Sequence, residues 1–106
     1  MSHVKFFGID CEAHSEKYAN GQIAIMLIVA ETNSNAAQGY RYGSPVCTAT
    51  TCLPDFPFKE GETAIKNYSE NSGVLEALVA GGLVEDTGVL FEQGFVSFPI
   101  VRVLHS

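Results

Sequence analysis

The run Lys66-Asn67-Tyr68-Ser69-Glu70-Asn71-Ser72-Gly73-Val74-Leu75-Glu76-Ala77-Leu78-Val79-Ala80-Gly81-Gly82 is where a strand pattern stops and a helix begins. Thr63 to Tyr68 reads as a short strand. Ser69 is placed as the N-cap, where its hydroxyl accepts from a backbone N–H two or three residues on. Glu70 then stands at the positive end of the helix dipole. Val74, Leu75, Leu78 and Val79 fall on one face, with Glu76 and Ala80 turned away. Gly81 supplies a left-handed stop. A helix of about three turns is not stable alone in water, so it must lie on a sheet. That makes the chain α+β.

Toward the N-terminus, Val4 to Ile9 reads as a first strand and Glu12 to Tyr18 as its polar continuation. Asn20-Gly21 is a hairpin signal, since a type I′ turn needs positive φ at both central positions. Gln22 to Glu31 is the strongest strand. Ile23, Ile25, Leu27 and Val29 share one face and Ala24, Met26 and Ile28 the other, the pattern of a central strand covered on both sides. Thr32 to Gly43 has turn composition and no period, which predicts a mobile loop. Ser44 to Leu53 is a Thr-rich strand. Pro57 sends the following segment across an edge or an end of the sheet.

Toward the C-terminus, Leu83 to Gly88 reads as a connection and Val89 to Phe91 as a short strand. Glu92-Gln93-Gly94 is a turn. Phe95 to Leu104 is a final strand, with Pro99 at an edge or a bulge. The expected architecture is a single domain over 1–106: a curved, mainly antiparallel sheet of about five strands with one short helix packed on one face. The other sheet face, with Phe6 or Phe7, Met26, Ile28 and part of the last strand, has nothing left in the chain to cover it. Either the sheet curls on itself into a half-barrel, or the face is an apolar patch that implies an interface. A homodimer formed through sheet surface or edge is expected.

Only 6 Lys and Arg stand beside 12 Asp and Glu, for a net charge of -6. Binding to nucleic-acid backbones or to anionic membranes needs clustered bases, so neither partner is expected. No apolar run approaches the ~18 residues of a membrane span. The first residues lack the apolar stretch of a signal peptide. A cytoplasmic protein is expected. The three cysteines do not make a disulfide framework. Cys47 and Cys52, read on one extended strand, would point to opposite faces about 16 Å apart.

The Lys66–Asn71 cluster is the candidate site, with Lys66, Tyr68, Glu70 and Asn71 as binding residues. A helix N-terminus with Lys and Tyr beside it can hold an anion. Lys, Tyr and Glu also serve acid–base chemistry. The structural alternative is that Ser69 and Asn71 cap, Glu70 matches the dipole and Lys66 is solvated. His3 and His105 lie near the termini and can meet if terminal strands pair, but they bring no carboxylate with them. Asp10, Glu12 and Glu16 alternate along one strand face, as an acidic patch or as solvated carboxylates. There is no phosphate loop, nucleophile elbow or paired-Cys zinc pattern. No catalytic residue, metal or cofactor is expected.

From Leu53-Pro54 through Leu104 the chain resembles a family of small uncharacterised bacterial proteins, a domain of unknown function carried on mobile elements such as phages, conjugative elements or gene cassettes. The resemblance rests on Ile65-Lys66-Asn67-Tyr68-Ser69-Glu70-Asn71, Gly73-Val74-Leu75-Glu76-Ala77-Leu78, Val84-Glu85-Asp86-Thr87-Gly88 and Gly94-Phe95-Val96. Tyr18-Ala19-Asn20-Gly21 and Ile23-Ala24-Ile25 match more weakly. Ser72 stands where the family pattern has Glu, and the Thr32–Gly43 segment is longer than its counterpart. The resemblance implies a context and no chemistry. The resulting expectation is an accessory protein acting as a protein-interaction module, with a host or element-encoded protein as a further partner. The alternative is a small-ligand or anion-binding protein, or a minor enzyme, using the Lys66–Asn71 region or a concave sheet face. An acidic DNA mimic ranks last, because 12 acids in 106 residues are too sparse for dense carboxylate rows.

Overall fold

The computed structural model describes residues 2–54, 56–68 and 71–104. The strongest strand pattern becomes β3, Ile23–Val29. It lies between β2, Ile9–Lys17, and β4, Pro45–Thr48. With β1, Ser2–Phe6, they make an antiparallel sheet in the order β1-β2-β3-β4. Ile25, Leu27 and Val29 are buried on its inner face.

The first strand and its polar continuation are two strands, not one. Phe7 and Gly8 turn the chain between Phe6 and Ile9, both with positive φ (53° and 74°). The type I′ pattern is therefore here, at a pair with no usual turn residue in its first position. At Asn20-Gly21 only Gly21 has positive φ. That connection is a wider loop closed by Tyr18 N–H to the Gln22 carbonyl (2.8 Å) and held by Asn20 Oδ1, which accepts from Gln22 N–H (3.1 Å).

The segment expected to be a mobile loop contains a one-turn helix, α1, Asn33–Ala37. Thr32 caps it, accepting from Asn35 N–H (3.1 Å). Asn35 is 1% exposed. Its side chain donates to the carbonyls of Asp10 and Ala30 (2.8 Å each) and accepts from Asp10 N–H (3.0 Å). These bonds tie the segment to β2, and a reading of local composition cannot see them.

The Thr-rich strand bends at Ala49 and changes sheets. After β4 comes β5, Thr50–Thr51, the first strand of a second antiparallel sheet. Ala49 N–H donates to the Ile25 carbonyl in one sheet, and its own carbonyl accepts from Lys66 N–H beside the other (2.8 Å each). The second sheet runs β5-β6-β8-β7, with β6 Glu62–Ile65, β7 Val84–Gln93 and β8 Val96–Val103. The protein is thus α+β with antiparallel sheets, and among the described residues the strands number eight in two sheets of four, where about five in one sheet were expected. The extra strands come from the Phe7-Gly8 turn and the Ala49 bend, and the early start of β7 lengthens a strand already expected.

Residues read as a connection, from Val84 on, already belong to β7. A bulge between Asp86 and Val89 interrupts its pairing with β8. Thr87 Oγ1 donates to the Ile100 carbonyl within it (2.6 Å). Pro99 sits in the part of β8 that β6 does not reach, because their pairing stops at Ile100. No strand on that side asks for the N–H it lacks.

Helix α2, Val74–Ala80, is shorter than expected. Val74 and Leu78 are fully buried, but Val79 is 44% exposed and does not share their face. The N-cap is Gly73, not Ser69. Ser69 and Glu70 lie outside the described residues. Asn67 Oδ1 does the capping from before the turn, accepting from Gly73 N–H (3.2 Å) and Leu75 N–H (3.0 Å). Gly81 is not the left-handed residue; Gly82 is, at φ 74°. Gly81 is needed for contact instead, since a Cβ there would stand 2.5 Å from Val4.

Two cores result. The first joins Val4, Phe6, Cys11 and Leu27 of one sheet, Val74 and Leu78 of α2, and Ile65, Val84 and Val101 of the other sheet. The second lies on the far side of the second sheet, where Leu53, Phe56 and Phe58 cover Ala64, Phe98 and Ile100. The outer face of the first sheet is no bare apolar patch. Glu12 sits there between His3 (3.8 Å) and His14 (3.3 Å), and Asp10 beside Lys5 (3.7 Å). A meeting of His3 with His105 lies outside the described residues.

Candidate functional site

The structure brings two of the four expected site residues together. Lys66, just past β6, and Asn71, just before α2, line a cleft of about 510 Å³ with Tyr18, Thr48 and Thr51. The cleft lies at the corner where the chain passes from one sheet to the other. Asn71 is 2% exposed. It donates from Nδ2 to the Thr48 carbonyl (2.8 Å), and its backbone N–H donates to the Tyr68 carbonyl (3.0 Å). It therefore fastens the entrance of α2 to β4. Tyr68 does not face the cleft. Its ring packs edge-on against Phe98 at 5.9 Å in the second core, with Lys66 Nζ 5.7 Å from its centroid. Glu70 lies outside the described residues.

Hydroxyls of Tyr18, Thr48, Thr50 and Thr51 line much of the rest of the cleft. Tyr18 and Thr50 share a hydrogen bond of 3.0 Å, and Thr50 Oγ1 also accepts from Ile25 N–H (3.1 Å). Cys47 and Cys52 both line this cleft, so they are not turned to opposite faces. The Ala49 bend removes the straight strand on which that expectation stood. Asn20 Nδ2 donates to Cys52 Sγ (3.2 Å). A cleft lined by a lysine and by hydroxyls suits a small anion. Cys11 is buried in the first core, and burial, with Cys47 nearby, pushes its thiol up to about 11. It is a protonated, unreactive thiol at neutral pH. Among the described residues, no group of three or more His, Cys, Asp or Glu is placed to hold a metal ion. Nor is any helix long and apolar enough to cross a membrane.

A second feature was missed by the sequence reading. Beyond the reach of β6, the ends of β7 and β8 pair only with each other among the described residues and form a two-stranded arm. Phe91 turns to the second core, 5.2 Å from Phe56. Leu90, on the opposite face, is 59% exposed, Val89 is nearly half exposed, and Phe95 at the tip is fully exposed. The outer edge of β7 carries no strand among the described residues. The signal was present in Val89-Leu90-Phe91 and Phe95, a cluster of large apolar residues around a tight turn. Against protein-family models, curated proteins and solved structures, the chain finds no match.

Proposed function

We propose that this chain is a small accessory protein of mobile-element type that works in the cytoplasm as a homodimeric protein-interaction module. Its contact element is the β7–β8 arm. One observation carries the reading: Leu90 and Phe95 are exposed on an arm whose edge strand has no partner among the described residues. Large apolar side chains on a bare strand edge are a recognised recipe for pairing with another chain. Exposed aromatic residues are also the usual anchors of interfaces. The blocks around Ile65–Leu78 and Val84–Gly88 support the mobile-element context. A host or element-encoded protein is a further partner for Phe95.

Light scattering after size exclusion tests the dimer. A single edge buries less than the standard ~1,600 Å², so the protein is loaded at about 200 μM. The expected mass is that of a dimer, and Leu90→Lys lowers it to a monomer with an unchanged circular dichroism spectrum. A wild-type monomer at that concentration sinks the reading.

The cleft at Lys66 favours a second reading, a binder of small anions. Its support is the convergence of Lys66, Tyr18 and three threonines on one cleft. Native-state ligands raise the melting temperature by mass action. A screen of phosphate, carboxylates and nucleotides that moves the melting point by no more than buffer salt does would count against it.

A further inference from the structure

We infer that two copies join edge to edge along β7, antiparallel across a two-fold axis at Leu90, so that their second sheets become one continuous sheet. The inference rests on the homodimer proposed above and adds the surface and the register.

Among the described residues neither edge of the arm pairs with a further strand. The β8 edge contains Pro99, which has no N–H to offer a ladder. The β7 edge from Val89 to Gln93 contains no proline. The bulge between Asp86 and Val89 breaks the regular edge above it. Bulges of this kind end strand pairing. The usable template is therefore short, and its sequence chooses among few registers.

Opposed residues in an antiparallel pair lie on the same face of the sheet. A two-fold axis perpendicular to the sheet must then pass at a residue. Centred on Leu90, each Leu90 meets Leu90 of the second copy, and Val89 meets its Phe91. Glu92 falls opposite the bulge at Gly88, around which there is open space where a side chain would stand. Apolar residues face apolar residues, and the carboxylate faces none of its kind. Centred on Phe91, Leu90 would face Glu92 and Val89 would face Gln93. Centred on Val89, residues Leu90, Phe91 and Glu92 would all fall opposite the bulge, leaving Val89 alone in a regular pair. The Leu90-centred register is the one the sequence of this edge can make with itself.

Disulfide trapping tests it. Leu90→Cys places the two new Cα atoms about 5 Å apart, within bridging distance. Glu92→Cys places them four residues out of register, about 14 Å apart, and beyond it. Both positions are exposed, so neither change disturbs the core. Under mild oxidation the expected result is a cross-linked fraction several-fold above wild type for Leu90→Cys and at the wild-type level for Glu92→Cys. Cross-linking through Glu92→Cys overturns the register. A dimer by light scattering with no cross-link from either variant overturns the β7 edge and leaves the homodimer standing. A monomer at about 200 μM overturns both, leaving the arm to a different protein.

Discussion

Asn67 and Asn71 are close in sequence and do different work. Asn67 accepts two N–H groups at the start of α2 and replaces the cap that Gly73 cannot provide. Removing a cap costs ~1 kcal/mol. Asn67→Ala is therefore expected to lower the urea midpoint with an unchanged slope, and no shift would rule out the cap. Cys11 gives a second test at this scale. Burial disfavours its thiolate, so the folded chain holds that proton beyond the pH at which the unfolded chain releases it. This stabilisation is complete below pH 9 and is lost as pH rises from 9.0 toward about 11. It amounts to roughly 2–3 kcal/mol. Cys11→Ala should flatten the alkaline fall in stability over that range; an identical fall in both proteins would dismiss the role of the thiol. Of the candidate site, Lys66 and Asn71 share one cleft and Tyr68 does not join them. Asn71 read as a ligand or as a cap because its partner, the Thr48 carbonyl, lies 23 residues away. Tyr68 looked available because Phe98 is even more distant in the chain.

Elements were legible where their own period determined them. The alternation of Ile25, Leu27 and Val29 marks β3 without help from the rest of the fold, and the Val74-to-Leu78 spacing marks α2. What the local pattern missed are the points set by distant partners. Phe7 takes a left-handed conformation because β1 must return along β2, and its ring rests 4.3 Å from Phe6. The Thr32–Gly43 segment is ordered by Asn35, whose three bonds all end on other elements or before its own helix. The α2 face is also narrower than four apolar residues suggested, and this is measurable. Leu78→Ala should cost about 2–5 kcal/mol, because Leu78 fills the first core. Val79→Ala should stay within about 0.5 kcal/mol, as exposed substitutions do. Equal losses from the two would mean that α2 is rotated from the orientation described.

Two sheets with two cores raise the question of whether the molecule unfolds in one step or two. The Ala49 corner argues for one. Its N–H is bonded into the first sheet and its carbonyl accepts from Lys66, so neither sheet can open without breaking a bond at a fully buried residue. Thr63 adds a second tie, its hydroxyl donating to the Ile23 carbonyl at 2.7 Å. The first core is also shared, since Leu27, Leu78 and Val101 come from one sheet, the helix and the other sheet. Apolar contacts distributed in this way make unfolding cooperative. The tyrosines allow a direct check. Tyr18 sits at the corner and Tyr68 in the second core. Urea unfolding followed by far-ultraviolet circular dichroism and by tyrosine fluorescence should give one midpoint. Hydrogen exchange should find the Ala49 and Lys66 amides opening only with the whole molecule, at the same free energy as the amides of β3. If the corner amides exchange well before β3, or if the two midpoints separate, the sheets are distinct units and the bend at Ala49 is a hinge rather than a joint.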